Sequence, residues 1–308
     1  MKVAEAVEIV RFNISTQHDL TGRAANLIIS NRNLVQQLMI ALNKYAKHTK
    51  GIEGIYSTPI VTSTNEFPMP PLCLRGETFR AVWVTIEGRR YPVIGTNWNN
   101  VAGNFPYQVS GVPRYYVPWN NTLNFFPTSQ TTFAITQLTA DIAKTSTTIP
   151  VVSTASFPQY AGRFSIGTEK IYYVKKTLTE FQECIRGEEG TIAQAHFVNE
   201  EVHENNLRIY YYKLHDVIRI SGNDAIDETV SCRELEVRDD HVEMILDYAS
   251  YKLLLKFDIN RAANFKVNFD EWLDRAKFEI RKGRDATKKT GDIRDPYYFE
   301  KEYVNPYL

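Results

Sequence analysis

Apolar residues recur along this chain in two rhythms. Leu34, Leu38, Ala41, Leu42 and Tyr45 fall at intervals of four, three, one and three, with Asn33, Gln36, Lys44 and Lys47 on the other face. That spacing predicts a helix with one buried stripe, capped by Ser30 or Asn31, running to about Thr49 and closed by Gly51. Good helix formers from Val3 to Val10 predict an earlier helix. Towards the other end, Val242, Ile245, Leu246, Ala249 and Leu253 mark a helix from about Asp240 to Lys256. Phe269, Trp272, Leu273, Ala276 and Ile280 mark a second, from Arg261 to Lys282, with Asn260 as its cap and Gly283 as its end. At 1.5 Å per residue that last helix is about 33 Å long, and the pair is expected to fold back as an antiparallel hairpin.

Between Ile52 and Phe133 the rhythm shortens to β-type runs broken by Pro, Gly and Asn: IYSTPIVTST, TFRAVWVTIEG, RRYPVI, VPRYYV and TLNFFP. They predict an antiparallel sheet, with a tight hairpin at Glu87-Gly88-Arg89. The Asn-rich piece from Asn97 to Asn104 reads as a loop anchored by Trp98. From Thr139 to His203 a small β unit is expected, with a hairpin turning at Gly167-Thr168-Glu169-Lys170 and a third strand from Glu180 to Ile185. Its size suits a little barrel or curled sheet without a deep cavity. The run Leu207 to Leu214 then resumes the sheet, pairing with the stretch from Asn121 to Ile135. The expected fold class is α+β: a helical bundle, made of an N-terminal helix and a C-terminal antiparallel helix pair, with an antiparallel β-sheet and a small all-β inserted domain. Residues 1–138 and 205–290 would form the discontinuous main domain, 139–204 the insertion and 291–308 an extended tail.

Charge excludes more than it suggests. The 36 Lys plus Arg residues balance 36 Asp plus Glu, so nothing global favours nucleic acid or membrane, and weak repulsion favours association. Cys73, Cys184 and Cys232 are odd in number, far apart and never in CxxC, so no disulfide is expected. With no long apolar window and no signal-peptide layout at Met1 to Ala6, the protein is expected to be made in a cytoplasm and to avoid membranes.

Sequence motifs for catalysis are missing. None of the six histidines, His18, His48, His196, His203, His215 and His241, has a partner at metal-ligand spacing, and His196 with His203 is the nearest approach to one. Cys232 and His241 are close only in sequence. Glu188 with Glu189, or Asp239 with Asp240, could supply paired carboxylates, although adjacent acids in loops are usually solvated. No enzyme, metal or cofactor is implied. The one basic cluster, Arg281, Lys282, Arg284, Lys288 and Lys289, can touch phosphates non-specifically or complement a helix C-terminus. After it the chain is rich in aromatics, Tyr297, Tyr298, Phe299, Tyr303 and Tyr307 with Leu308 last, residues that are usually covered by something.

The order of these parts, with Phe67-Pro68, Pro70-Pro71, Gly111-Val112-Pro113-Arg114-Tyr115-Tyr116, Leu123 with Pro127, Tyr210-Tyr211-Tyr212 and the final helix pair, resembles tailed-bacteriophage head-to-tail adaptor (connector) proteins. The resemblance covers about residues 30 to 138 and 205 to 308, and residues 139–204 are similar to small β modules that decorate phage virion proteins. It implies a non-enzymatic virion protein of the neck, assembled in the host cytoplasm. Subunits would form a homo-oligomeric ring, commonly dodecameric, between the portal protein and the downstream tail or neck ring, with helices around passing DNA and the tail from Asp295 to Leu308 reaching onto the portal. The alternative is a tail or surface-binding module, in which the β insert with Trp98 or Trp119 recognises a carbohydrate or another virion protein.

Overall fold

The structure is a computed structural model that describes residues 1–15, 29–61, 64–74, 79–86, 89–104, 110–129, 133–227, 234–255 and 258–290. Of Ser15, residues 102–104, Ser110 and residues 283–290 it describes the backbone alone. The fold is mixed α+β. The helices are α1 (Val3–Ser15), α2 (Asn31–Thr49), α3 (Trp98–Asn104), α4 (Val242–Leu254) and α5 (Ile259–Thr290). The first strands are β1 (Glu53–Thr58), β2 (Glu66–Pro68), β3 (Ala81–Ile86), β4 (Arg89–Pro92), β5 (Ile94–Gly95), β6 (Ser110–Gly111), β7 (Tyr115–Trp119), β8 (Thr122–Phe126) and β9 (Thr128–Ser129). They are followed by β10 (Ile135–Gln137), β11 (Ile149–Pro150), β12 (Tyr160–Ile166), β13 (Glu169–Lys176), β14 (Glu180–Gln182), β15 (Glu201–Glu204), β16 (Leu207–Tyr212), β17 (Arg219–Ile220) and β18 (Ile226–Asp227).

The chain divides into two compact units. The first comprises Met1–Glu53, Leu72–Arg75 and the chain from Tyr212 onward. Its core joins the stripe of α2 (Leu34, Leu38, Ala41, Leu42, Tyr45) to Val3, Val7 and Val10 of α1, Ile245, Ala249 and Leu253 of α4, and Phe269, Leu273 and Ala276 of α5. The start of α2 is held from far along the chain, since the Asp224 carboxylate accepts from the backbone N–H groups of Asn31 and Arg32 at 2.8 and 3.0 Å. That contact satisfies amide donors which a helix leaves unpaired at its start. Ser30 is the local cap, and the left-handed residue at the far end is Lys50 (φ 56°), one position before the expected Gly51. Gly51 is needed for a different reason: a Cβ there would lie 2.5 Å from the Tyr45 hydroxyl.

Two expectations for α5 are corrected. It is capped by Asp258, whose side chain accepts from the Arg261 N–H at 3.1 Å, and not by Asn260. It also passes through Gly283 to Thr290, because one helical glycine costs only about 1 kcal/mol against a run of good helix formers.

The second unit comprises Gly54–Pro71 and Gly76–Tyr211, so residues 139–204 fall within it. One sheet has the order β1-β16-β3-β4 and another β2-β8-β7-β5. Strand β16 therefore pairs with β3 (Leu207↔Val84, Ile209↔Val82) and not with the stretch from Asn121 to Ile135. The physical reason is matched burial: Leu207, Ile209, Val82 and Val84 are all buried, whereas β8 already has β2 and β7 as partners. Strands β3 and β4 pair up to Ile86↔Arg89, and their connection at 87–88 lies outside the described residues. The pairings β5 with β7 and β6 with β9 are short and parallel, whereas β3–β4, β3–β16, β2–β8 and β7–β8 are antiparallel. The expected loop at Asn97 to Asn104 is α3, where Asn97 Oδ1 accepts from the Asn100 N–H at 3.0 Å and so caps the turn.

Six further strands form a sheet in the order β10-β15-β12-β13-β14-β11. A bridge from Leu138 to Val151, with Val152 N donating to Gln137 O at 3.0 Å, joins its two edges and closes it into a barrel. The interior is filled by Phe157, Phe164, Ile166, Ile171, Tyr173, Phe181 and Val202. The hairpin β12–β13 turns at Gly167 (φ 54°), as its sequence indicates. Gly162 stands opposite Tyr173 and lets the ring lie across it; a Cβ there would be 2.1 Å from the ring carbon Cζ. No helix among the described residues is long and apolar enough to cross a membrane.

Candidate functional site

Helix α5 turns one stripe inward and leaves the opposite one bare. Ala262, Phe269, Leu273 and Ala276 are buried and Ile280 partly so, while Val267 and Phe278 are 56% and 67% exposed. Val267 and Phe278 are eleven residues apart, three helical turns, and lie on the face opposite the core. Trp272 is partly exposed, with the Arg275 guanidinium 5.1 Å from its ring centre. The 32 residues of α5 span about 48 Å at 1.5 Å each. Among the described side chains the last one packed on the core is Ile280, and the helix continues for ten residues, about 15 Å, beyond it. Arg281 and Lys282 are exposed in that segment, and Arg284, Lys288 and Lys289 are placed on its backbone. Tyr297, Tyr298, Phe299, Tyr303, Tyr307 and Leu308 lie outside the described residues.

The barrel contains a polar centre that sequence reasoning missed. Glu169 is fully buried and its two oxygens accept from Arg186 Nε and Nη2, both at 2.7 Å, from the backbone N–H groups of Gly187 and Gln194, each at 3.1 Å, and from His196 Nε2 at 2.8 Å. The other ring nitrogen of His196 meets Glu200 at 2.9 Å. The segment from Arg186 to Glu200 is thus tied to one carboxylate. Burial alone would raise the pKa of Glu169, but its bonds to Arg186, Gln194 and His196 outweigh that and hold it below the usual carboxylate value. His203 instead meets Glu201, so His196 and His203 share no site. The hydrogen bonds to this buried carboxylate all come from the barrel's own groups, so the arrangement fastens the segment from Arg186 to His196 to β13.

Glu188 and Glu189 also depart from expectation. Glu189 is 4% exposed at its side chain, not solvated, and it takes hydrogen bonds from Ser57 N at 2.7 Å, Lys170 Nζ at 2.6 Å and Arg163 Nη1 at 3.4 Å. Glu188 shares Arg163 at 2.9 Å. At the end of the barrel, Glu204 is buried with the Ala134 N–H as donor at 3.2 Å, and desolvation pushes its carboxyl up to about 7. Cys73 and Cys184 are free, and burial pushes their thiols up to about 11 and about 12, which removes nucleophilic character near neutrality. Cys232 lies outside the described residues. Trp98 anchors α3 edge-on to Phe126 and Trp119, at 5.6 and 6.1 Å between ring centres, and Trp119 is 56% exposed.

Among the described residues one group could hold a metal ion: Asp240, His241 and Glu279, with one ligand atom of each lying within 4.8 Å of the others. Three separate signals in the sequence, an acid, a histidine and an acid 38 positions later, gave no reason to join them. No protein-family model matches the chain, and no curated protein matches it either.

Proposed function

We propose that this chain is a non-enzymatic structural protein of a tailed-bacteriophage neck, whose copies form a ring joining the portal to the tail and enclosing the DNA conduit. The observation that carries the reading is α5: a helix with its inner stripe buried, two exposed apolar side chains, Val267 and Phe278, on its outer face among polar ones, and a basic end that continues about 15 Å past Ile280. A subunit of a ring needs a rigid element with a second apolar face for its neighbour, and a cationic end suits non-specific contact with phosphates. On this reading the helices form the ring's bundle, residues 139–204 are an inserted domain, and the aromatic tail from residue 291 binds the portal. The filled barrel fits an accessory part, since its interior is occupied by its own side chains.

The test is sedimentation of the purified chain, alone and with the portal ring of the same genome. Full-length protein should sediment as a ring and bind the portal; a version ending at Gly291 should keep its fold and lose the portal. Phe278→Asp should abolish the ring while leaving thermal unfolding of the subunit unchanged, because the side chain is exposed. A full-length protein that stays monomeric and binds no portal overturns the proposal.

A further inference from the structure

The start of α4 and the late part of α5 meet at a side-chain cluster that the neck reading does not use. The turn Asp239–His241 leads into α4, and the return of α5 brings Glu279 alongside it. His241 is 3% exposed, yet its Nε2 faces two carboxylates, 3.4 Å from Glu279 Oε2 and 4.0 Å from Asp240 Oδ2. The first separation is long for an N–H···O hydrogen bond, which prefers about 2.7–3.2 Å. It suits a shared ion better: a tetrahedral ion with bonds of about 2.0–2.1 Å holds its ligand atoms about 3.3–3.4 Å apart. The second needs a closing movement of about 0.6 Å, and the two carboxylate atoms, within 4.8 Å of each other, must close by up to about 1.4 Å, a movement available to an Asp240 side chain that is half exposed.

We propose that Asp240, His241 and Glu279 bind a divalent transition-metal ion of the zinc class, which fastens the start of α4 to α5. The ring of His241 is already oriented for it. Its Nδ1 lies 2.9 Å from the hydroxyl of Tyr45, a residue with no exposed surface, and Nδ1–H donating to that oxygen turns the Nε2 lone pair towards the carboxylates. A partner on the far nitrogen is what metal-bound histidines commonly have. Without the ion the carboxylates are held by arginines. Glu279 gives Oε1 to Arg275 Nε at 3.1 Å and keeps Oε2 for the cluster. Asp240 takes Arg238 Nε at 3.1 Å and Nη2 at 2.6 Å, so the ion displaces or shares Arg238. Exposure of both acids leaves an entry path and a place for a water as fourth ligand. One imidazole with two carboxylates selects zinc or cobalt over calcium and magnesium, which take oxygen alone.

The site can be tested on the full-length chain stripped of metal, by calorimetric titration with Zn²⁺ and by the visible spectrum on titration with Co²⁺. The expected result is one ion per chain and a tetrahedral Co²⁺ spectrum. Asp240→Asn, at a half-exposed position, and Glu279→Gln, at one about a third exposed, should each weaken binding at least about tenfold, and Tyr45→Phe should weaken it by a similar factor through the ring it orients. Because His241 is buried, its own substitution is not the deciding variant. No binding below about 100 µM free Zn²⁺, or binding that Asp240→Asn and Glu279→Gln leave unchanged, would overturn the site in favour of an ordinary ion pair between His241 and Glu279. The inference stands whether or not the protein forms a neck ring, since its readout is an ion bound by one subunit.

Discussion

Glu169→Gln probes the fastening inside the barrel. The glutamate is fully buried and accepts five hydrogen bonds, two of them from Arg186, whose side chain is 6% exposed. An amide of the same shape keeps one acceptor oxygen, turns an NH₂ group towards donors, and leaves the Arg186 charge buried without its counter-ion. Removing one member of such a pair costs about 3–5 kcal/mol, which at 1.36 kcal/mol per tenfold corresponds to about 10²- to 10⁴-fold in the local opening equilibrium. Native-state hydrogen exchange, read by mass spectrometry on peptides covering β12 and β13, should show that loss of protection in the full-length variant. A loss smaller than about tenfold would refute the claim that this pair holds the barrel together. The pH dependence supplies a second check. The folded-state pKa of Glu169 lies below the reference value of 4.5, so its contribution is complete above that value and is lost as pH falls through the folded-state value. The glutamine variant should lack that acid-dependent part of the exchange profile.

Glu204 has the opposite sign. Its folded-state carboxyl is raised from 4.5 to about 7, so the fold binds a proton there that the unfolded chain has released, and stability falls as pH rises from 4.5 to 7. Glu204→Gln should therefore raise the unfolding free energy at pH 8 by on the order of 3 kcal/mol in denaturant titrations, and an unchanged value would contradict a carboxyl whose burial outweighs its bond to the Ala134 N–H. Asp224→Ala removes the acceptor at the start of α2 and should cost about 1 kcal/mol in thermal unfolding; no loss would mean that Ser30 caps the helix alone. Gly162→Ala should destabilise the barrel by about 1–3 kcal/mol, because its Cβ meets the Tyr173 ring, and wild-type stability in this variant would show that the ring has room to move.

Much of the local structure was legible in the chain. The stripe on α2 and its span, the inward positions of α5 other than Trp272, which the structure leaves exposed, and the β12–β13 turn at Gly167 follow from spacing and from residues with one favoured conformation. The helical cap at Asn97 was misread because an Asn-rich segment satisfies loop and cap preferences alike. The partner of β16 was misjudged for a different reason: alternation shows which residues of a strand are buried but does not name the strand that buries them.

The residues with chemistry show the same division more sharply. His196, Glu169 and Arg186 are ordinary letters 10 to 27 positions apart, and only the closed barrel brings them within 2.8 Å and makes them a fastening instead of a metal pair. Glu188 and Glu189 read as solvated because exposure was inferred from neighbours in sequence, whereas Ser57, Arg163 and Lys170 come from other strands to hold them. Asp240, His241 and Glu279 converge because α5 returns along α4. The sequence by itself determined the four longer helices, the Gly167 turn and most of the apolar faces, since those depend on side chains a few positions apart. Pairing of distant strands, burial of charges and convergence of ligands were decided by the tertiary structure, because each depends on distances that chain separation does not specify.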